Sequence, residues 1–207
     1  SSVGQADQQN WRQLYNSSQD NFRGGKLQQS LALARESVKQ SEIEFGTKSV
    51  YTIRSLILLG DLSRRTGSFT DSFRQHKRAL EIQEQIFGEL HPNTAKLINE
   101  LAKDELLMGN TEEARTLFNR SIRICNQINN PENPAVADSL IGLSKLDSMA
   151  RDYSQAEKRL MTAMSILDSY SKYHPGTRLD IENARLSLAD SLKAQGRHSE
   201  CCMQYRV

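Results

Sequence analysis

The chain has 207 residues, of which 37 % are hydrophobic, 25 % charged and 6 % aromatic, a mix that suits many short amphipathic helices around a thin continuous core. Its formal charge of +2 is too small to call for a nucleic-acid partner, so any electrostatic preference must come from where the charges sit. No run approaches the roughly 18 apolar residues that cross a bilayer, and the longest cluster, SLILLG at 55–60, is far too short for membrane insertion.

Taken in order along the chain, two helical patterns and a tight turn recur with a period of 42 residues, giving repeats at about 8–49, 50–91, 92–133, 134–174 and 175–207. In the first, Trp11, Leu14 and Phe22 precede the turn at Gly25, with Ser17 and Ser18 standing where later repeats carry a leucine and a small residue. In the second, Leu56, Leu59 and Ser63 lead to Gly67, and Phe73, His76, Leu80 and Phe87, with Ala79, Ile82 and Ile86 beside them, form the next apolar stripe. The third has Ile98, Leu101 and Ala102 before Gly109, then Ala114, Phe118, Ile122, Cys125 and Ile128. The fourth has Leu140, Leu143 and Leu146 before Arg151, which occupies the turn glycine's place, then Ala156, Leu160, Ala163, Met164 and Leu167. The last carries about one extra helical turn, since Pro92 to Gly109 and Pro134 to Arg151 are each 17 residues but Pro175 to Gly196 is 21. It also stops at Val207, half-way through its second helix.

Helix starts are marked at His91-Pro92-Asn93-Thr94, Asn133-Pro134 and His174-Pro175-Gly176-Thr177, because proline lacks an amide to donate yet fits a first turn. Thr111-Glu112-Glu113 places acidic residues at the positive end of another helix. A period of this length marks a solenoid, in which one helix pair cannot bury its own apolar face and stacks on copies of itself. The expectation is one all-α domain over 1–207.

LGDLSRRTGSFTDSFRQHKRAL at 59–80 and LAKDELLMGNTEEARTLFNRSI at 101–122 resemble tetratricopeptide repeats, with small residues at Gly60 and Ala102, turn glycines at Gly67 and Gly109, alanines at Ala79 and Ala114, and Phe118 at consensus places. IFGELHPNT at 86–94 resembles the 42-residue variety found in kinesin light chains and related adaptor proteins. The resemblance implies a right-handed α–α superhelix of about five helix-turn-helix repeats, the first degenerate and the last truncated. It also implies that the first helix of each pair lines a concave groove that receives peptides. Asn99 of LINELA matches an asparagine that holds cargo backbone in that family, whereas SLILLG, SLIGLS and ARLSLA lack the amides. The pairs Tyr15/Gln19, Ile57/Asp61 and Asn99/Lys103 do not supply the Lys and Asn, one turn apart, of a terminal-carboxylate clamp.

With the concave face taken from the resemblance, four repeats place Arg12, Arg23, Arg54, Arg64, Arg65, Lys96, Lys103 and Lys145 on it against Asp61 and Asp138. Such a face would attract an acidic segment, with Ile57, Leu106, Leu107 and Met149 accepting apolar side chains. The alternative is an ordinary solvated face whose Lys and Arg stems cover apolar surface. The expected partner-contacting residues are Arg12, Arg54, Ile57, Arg64, Arg65, Lys96, Asn99, Lys103, Leu106, Lys145 and Met149.

His76, His91, His174 and His198 stand alone without ligand-spaced partners, so no metal or other cofactor is expected. No GxSxG, P-loop or dinucleotide glycine pattern is present, which argues against an enzyme. Cys201 of the vicinal Cys201-Cys202 pair takes the small-residue place of Ser72, Ala114 and Ala156, so packing is the expected role. Trp11 is expected to pack near Leu31 and Ala34. Three cysteines without a disulfide framework favour a reducing compartment, the cytosol by default. A start on Ser rather than Met reads as an excised or processed form, so native targeting signals are expected to lie outside the sequence read. The functional expectation is a non-enzymatic adaptor that binds an acidic or amphipathic peptide. The alternatives are an assembly module that stacks through its array ends on other copies or on flanking domains, or a peptide-sensing regulatory domain.

Overall fold

A computed structural model describes residues 3–172 and 178–204, which hold ten α-helices and no strand. In chain order these are α1 (Val3–Arg23), α2 (Leu27–Phe45), α3 (Val50–Arg65), α4 (Phe69–Phe87), α5 (Pro92–Met108), α6 (Thr111–Gln127), α7 (Pro134–Met149), α8 (Tyr153–Ser171), α9 (Arg178–Ala194) and α10 (His198–Gln204). Two of the three predicted proline starts, Pro92 and Pro134, open helices, and the third, at 174–177, lies outside the described residues. Asn133 Oδ1 caps α7 by accepting from Ala135 N, and His91 Nδ1 accepts from Asn93 N at the start of α5. None of the helices among the described residues is long and apolar enough to cross a membrane.

The turn inside each pair takes a left-handed residue. Gly25, Gly67, Gly109 and Gly196 have φ of 75–88°, and Arg151 holds φ 63° in the same role although its Cβ disfavours it. Counted from these turns, the periodicity becomes a packing rule. Ser30, Ser72, Ala114, Ala156 and Cys201, each five residues after the turn, are all buried, and so are Ala34, His76, Phe118 and Leu160, nine after it. Cys201 therefore packs, in a core with Leu160, Leu188, Ala189 and Leu192.

The helices gather into two compact units, one within residues 1–89 with 107–109 and the other within 90–106 and 110–207. In the first, Ser18 and Ser30 bond reciprocally, each hydroxyl donating to the other's carbonyl at 2.8 Å, so small residues let α1 and α2 approach. Trp11 is buried, but against the other end of α2 from the one expected. Antiparallel pairing that sets Ser18 opposite Ser30 carries Trp11 past Leu31 and Ala34 to Phe45 and Tyr51, and its Nε1 donates to Ser55 Oγ at 2.8 Å. His76 brings the Nε2 end of its ring against Gly60, where an added Cβ would sit 2.4 Å from Nε2. The α4 stripe ends early, since Ile86 and Phe87 are exposed.

In the second unit the Phe118 ring of α6 fills the space left by the missing side chain of Gly142 on α7, and packs with Ala102, Ala114, Leu143 and Leu146. Asp147 of α7, 7 % exposed in its side chain, accepts from Arg115 Nη1 at 3.1 Å and Arg159 Nε at 2.6 Å, tying α6 and α8 to α7. Arg197 joins Glu157 of α8 to Glu200 of α10. Hydrogen bonding to Glu200, then to Glu157, holds this guanidinium above its ordinary pKa, and Arg197 in turn lowers that of Glu200.

The extra residues of the last repeat precede Arg178 and do not disturb α9. Counted back from its turn, Gly196, the pair Leu188/Ala189 falls where Leu101/Ala102 and Leu143/Ser144 fall in their repeats.

Candidate functional site

Among the expected contact residues of the first unit, Arg12, Arg54 and Arg65 are exposed and Ile57 is half-buried. Arg65 stacks its guanidinium 4.8 Å above the Phe22 ring, which joins the faces of α1 and α3. Arg64 is not an open surface cation. Its side chain is 18 % exposed, lies 3.9 Å from Asp61 and brings Nη2 to 3.3 Å from His76 Nδ1. A guanidinium can only donate, so Nδ1 of His76 is the acceptor.

The second unit holds a groove of about 860 Å³ lined by α5, α7 and α9, with Leu167 and Tyr170 of α8 at one end. The positions six, ten and thirteen residues before each turn build it. They give Lys103, Lys145 and Asp190, then Asn99, Ile141 and Leu186, then Lys96, Asp138 and Asn183. All but Asn99 reach the lining.

Asn99 is fully buried. Its Nδ2 donates to the Ala135 carbonyl and its Oδ1 accepts from Ser139 Oγ, both at 2.7 Å, so this amide holds α7 to α5 and is closed to a partner. Leu106 is likewise turned inward against the Phe118 core, away from the groove lining. Met149 is 62 % exposed and lies just beyond the groove, next to Lys145.

The groove is not simply basic. Its lining carries Lys96, Lys103 and Lys145 against Glu100, Asp138 and Asp190, a balanced set. Lys103 Nζ donates to Asp138 Oδ2 at 2.7 Å and to Glu100 Oε1 at 3.0 Å, linking α5 to α7. Burial opposes its charge, but the two carboxylates outweigh that cost and hold the ammonium above the ordinary lysine pKa. Lys103 is therefore a cation already neutralised within the fold. Among the described residues no ion pair engages Lys96, Lys145 or Asp190, which leaves two cations and one anion facing the groove beside Ile141 and the half-exposed Leu186.

Sequence reasoning missed Glu100 and the whole α9 wall. Glu100 stands four residues after Lys96 and three before Lys103, on the same helical face, so helical spacing carried that signal. The α9 wall was missed because the concave face was drawn from four repeats, although ARLSLA at 184–189 already stood in register with Gly196.

Residues 13–85, 59–127 and 93–169 match the tetratricopeptide repeat family. A curated relative, the human "Tetratricopeptide repeat protein 19, mitochondrial", is 34 % identical over 92 residues, 44 % of this chain and 23 % of that protein. The "Clustered mitochondria protein homolog" of Emericella nidulans is 23 % identical over 137 residues, 66 % of this chain and 11 % of that protein. The chain thus spans less than a quarter of the length of either relative. Among solved structures, kinesin light chain TPR-like repeats of Podosopora anserina superpose with TM-score 0.69 at 18 % identity, covering 94 % of this chain and 90 % of that one. A Rap protein complexed with competence and sporulation factor superposes with TM-score 0.78 at 14 % identity, covering 95 % and 52 %.

Proposed function

Because this chain belongs to the tetratricopeptide repeat family, we propose that it is a non-enzymatic interaction scaffold whose second unit binds a segment of a partner protein in the α5–α7–α9 groove. The fold is one used for protein–protein interaction, and a structural neighbour, the Rap protein, is described in complex with a signalling factor. The observation that carries the reading is the division of labour within the groove. Lys103 is paired with Glu100 and Asp138, while Lys96, Lys145 and Asp190 stay unpaired and share the lining with the apolar Ile141 and Leu186. That pattern fits an amphipathic segment presenting leucine-like side chains to the apolar pair and carboxylates to the two lysines. The exposed arginines of the first unit, Arg12, Arg54 and Arg65, supply a separate basic face that would hold further acidic residues. The proposed compartment is the cytosol, on the free thiols Cys125 and Cys201, and fractionation of cells tests it against the mitochondrial naming of the relatives.

An array of synthetic peptides that vary acidic and leucine content, probed with the protein, tests the reading. Capture should track peptides combining both residue types and should be lost with Lys96→Glu plus Lys145→Glu. Capture indifferent to this double variant would overturn it.

A further inference from the structure

Along the groove the sign of the unpaired charge changes from α7 to α9. The position six residues before each turn holds Lys103 on α5 and Lys145 on α7, but Asp190 on α9. Lys103 is occupied by Glu100 and Asp138, which leaves Lys145 and Asp190 as exposed charges of opposite sign on adjacent helices. Both line the groove and the smaller niche beside it, yet they form no ion pair with each other. Lys193, in the last turn of α9, does not pair with Asp190 either and lies outside the groove lining.

Asp190 is placed to receive a cation. It stands one turn before the C-terminus of α9, the end at which outward carbonyls favour positive charge and disfavour its own. The lining as a whole sets Lys96, Lys103 and Lys145 against Glu100, Asp138 and Asp190, so it has no net charge with which to draw a uniformly acidic chain. Such a chain gains Lys96 and Lys145 but meets repulsion at Asp190, and a uniformly basic chain meets the reverse. A chain of mixed charge satisfies all three. Its spacing follows from the packing of α7 on α9. Packed helices lie about 8–10 Å apart, a span that an extended chain crosses in about three residues. Ile141 of α7 and Leu186 of α9 offer apolar contact to the side chains in between.

We propose that the segment bound in this groove is of mixed charge, with a lysine or arginine for Asp190 about three residues from the carboxylate that meets Lys145. The proposal rests on the groove reading, and its test separates the two. Dye-labelled peptides Glu-Leu-Leu-Glu-Leu-Leu-Xaa, with Lys, Gln or Glu as Xaa, are made in this order and in reverse, and fluorescence anisotropy measures their affinity for the whole chain. In the order that fits the groove, the Lys peptide should bind about threefold tighter than the Gln peptide and about tenfold tighter than the Glu peptide, the scale of one exposed ion pair made or turned repulsive. Asp190→Asn should abolish the advantage of Lys over Gln, and Asp190→Lys should invert the series so that the Glu peptide binds tightest. Both exchanges fall on an exposed, unpaired side chain and should leave the circular dichroism spectrum and Tm of the folded chain in place. Equal affinity for the three peptides, or a lysine preference that survives Asp190→Lys, would overturn the proposal. Equal affinity that is lost in Lys96→Glu plus Lys145→Glu would keep the groove reading and refute only the role of Asp190, whereas no binding by any peptide would overturn both.

Discussion

Gly142→Ala sets helix propensity against packing, and the structure decides which prevails. In an exposed helix interior this exchange stabilises by about 1 kcal/mol, through lower backbone entropy in the unfolded chain. Here the added Cβ would lie 2.1 Å from Phe118 Cζ and 2.4 and 2.5 Å from its two Cε atoms. Carbon–carbon contacts are comfortable at about 3.5–4.0 Å, so the ring must withdraw by about 1.4 Å or more. Phe118 is fully buried against Ala102, Ala114, Leu143 and Leu146, so its withdrawal must displace packed neighbours. Overpacking of this kind costs about 1–3 kcal/mol, rising toward the about 3–5 kcal/mol of losing the phenyl ring if it is expelled. Less the propensity gain, the net expectation is destabilisation of up to about 2 kcal/mol if the ring is kept inside, and of about 2–4 kcal/mol if it is expelled. Urea unfolding followed by far-UV circular dichroism measures it, with Phe118→Leu and the double variant completing a cycle. The shorter Leu side chain should remove the clash, giving a favourable coupling of about 1 kcal/mol or more. A Gly142→Ala protein stabilised by about 1 kcal/mol, as helix propensity alone predicts, would refute the close ring contact and the helix-to-helix packing built on it.

Other outcomes follow from the same structure. Arg151→Gly relieves a left-handed residue and should raise stability by about 0.5–1 kcal/mol, seen as a higher urea midpoint at unchanged m. Asp147→Ala strands Arg115 and Arg159, which remain partly solvated, and should cost about 1–3 kcal/mol in the same assay. Trp11→Phe keeps the aromatic stack but strips Ser55 of its indole donor, for a loss of about 1–2 kcal/mol. Glu200, its pKa lowered by Arg197, contributes to holding α10 above the ordinary carboxylate range and loses that contribution as pH falls through its lowered value. Hydrogen-exchange protection of α10 should therefore be higher at pH 6 than at pH 3, after correction for intrinsic rates, and the difference should vanish in Arg197→Gln.

The repeat was legible because one geometric need recurs in every copy. A small residue must sit where paired helices touch, and a left-handed residue must turn the chain between them. Ser30, Ala114 and Cys201 are chemically unlike, yet share a place because size alone matters there. Arg151 shows that the turn persists even without glycine. The site was less legible, since exposure and pairing depend on neighbours from other helices. Lys103 reads as a free cation until Asp138, 35 residues on, comes within 2.7 Å, and Asn99 reads as a surface amide until the Ala135 carbonyl claims it. The α9 wall was left out because the extra residues before Arg178 obscure the start of the last repeat, although ARLSLA at 184–189 keeps its place relative to Gly196.

A partner segment bound along α5, α7 and α9 would lie within crosslinking reach of the groove lining. A twelve-residue peptide of alternating glutamate and leucine pairs, with a photoreactive diazirine in one leucine, tests it when irradiated with the protein and the adducts are mapped by mass spectrometry. Adducts are expected on the tryptic peptides that carry Ile141, Tyr170 and Leu186, reduced about tenfold by Lys96→Glu plus Lys145→Glu as two attractive charges become repulsive. Adducts concentrated outside the groove, or the same yield in the double variant, would contradict it.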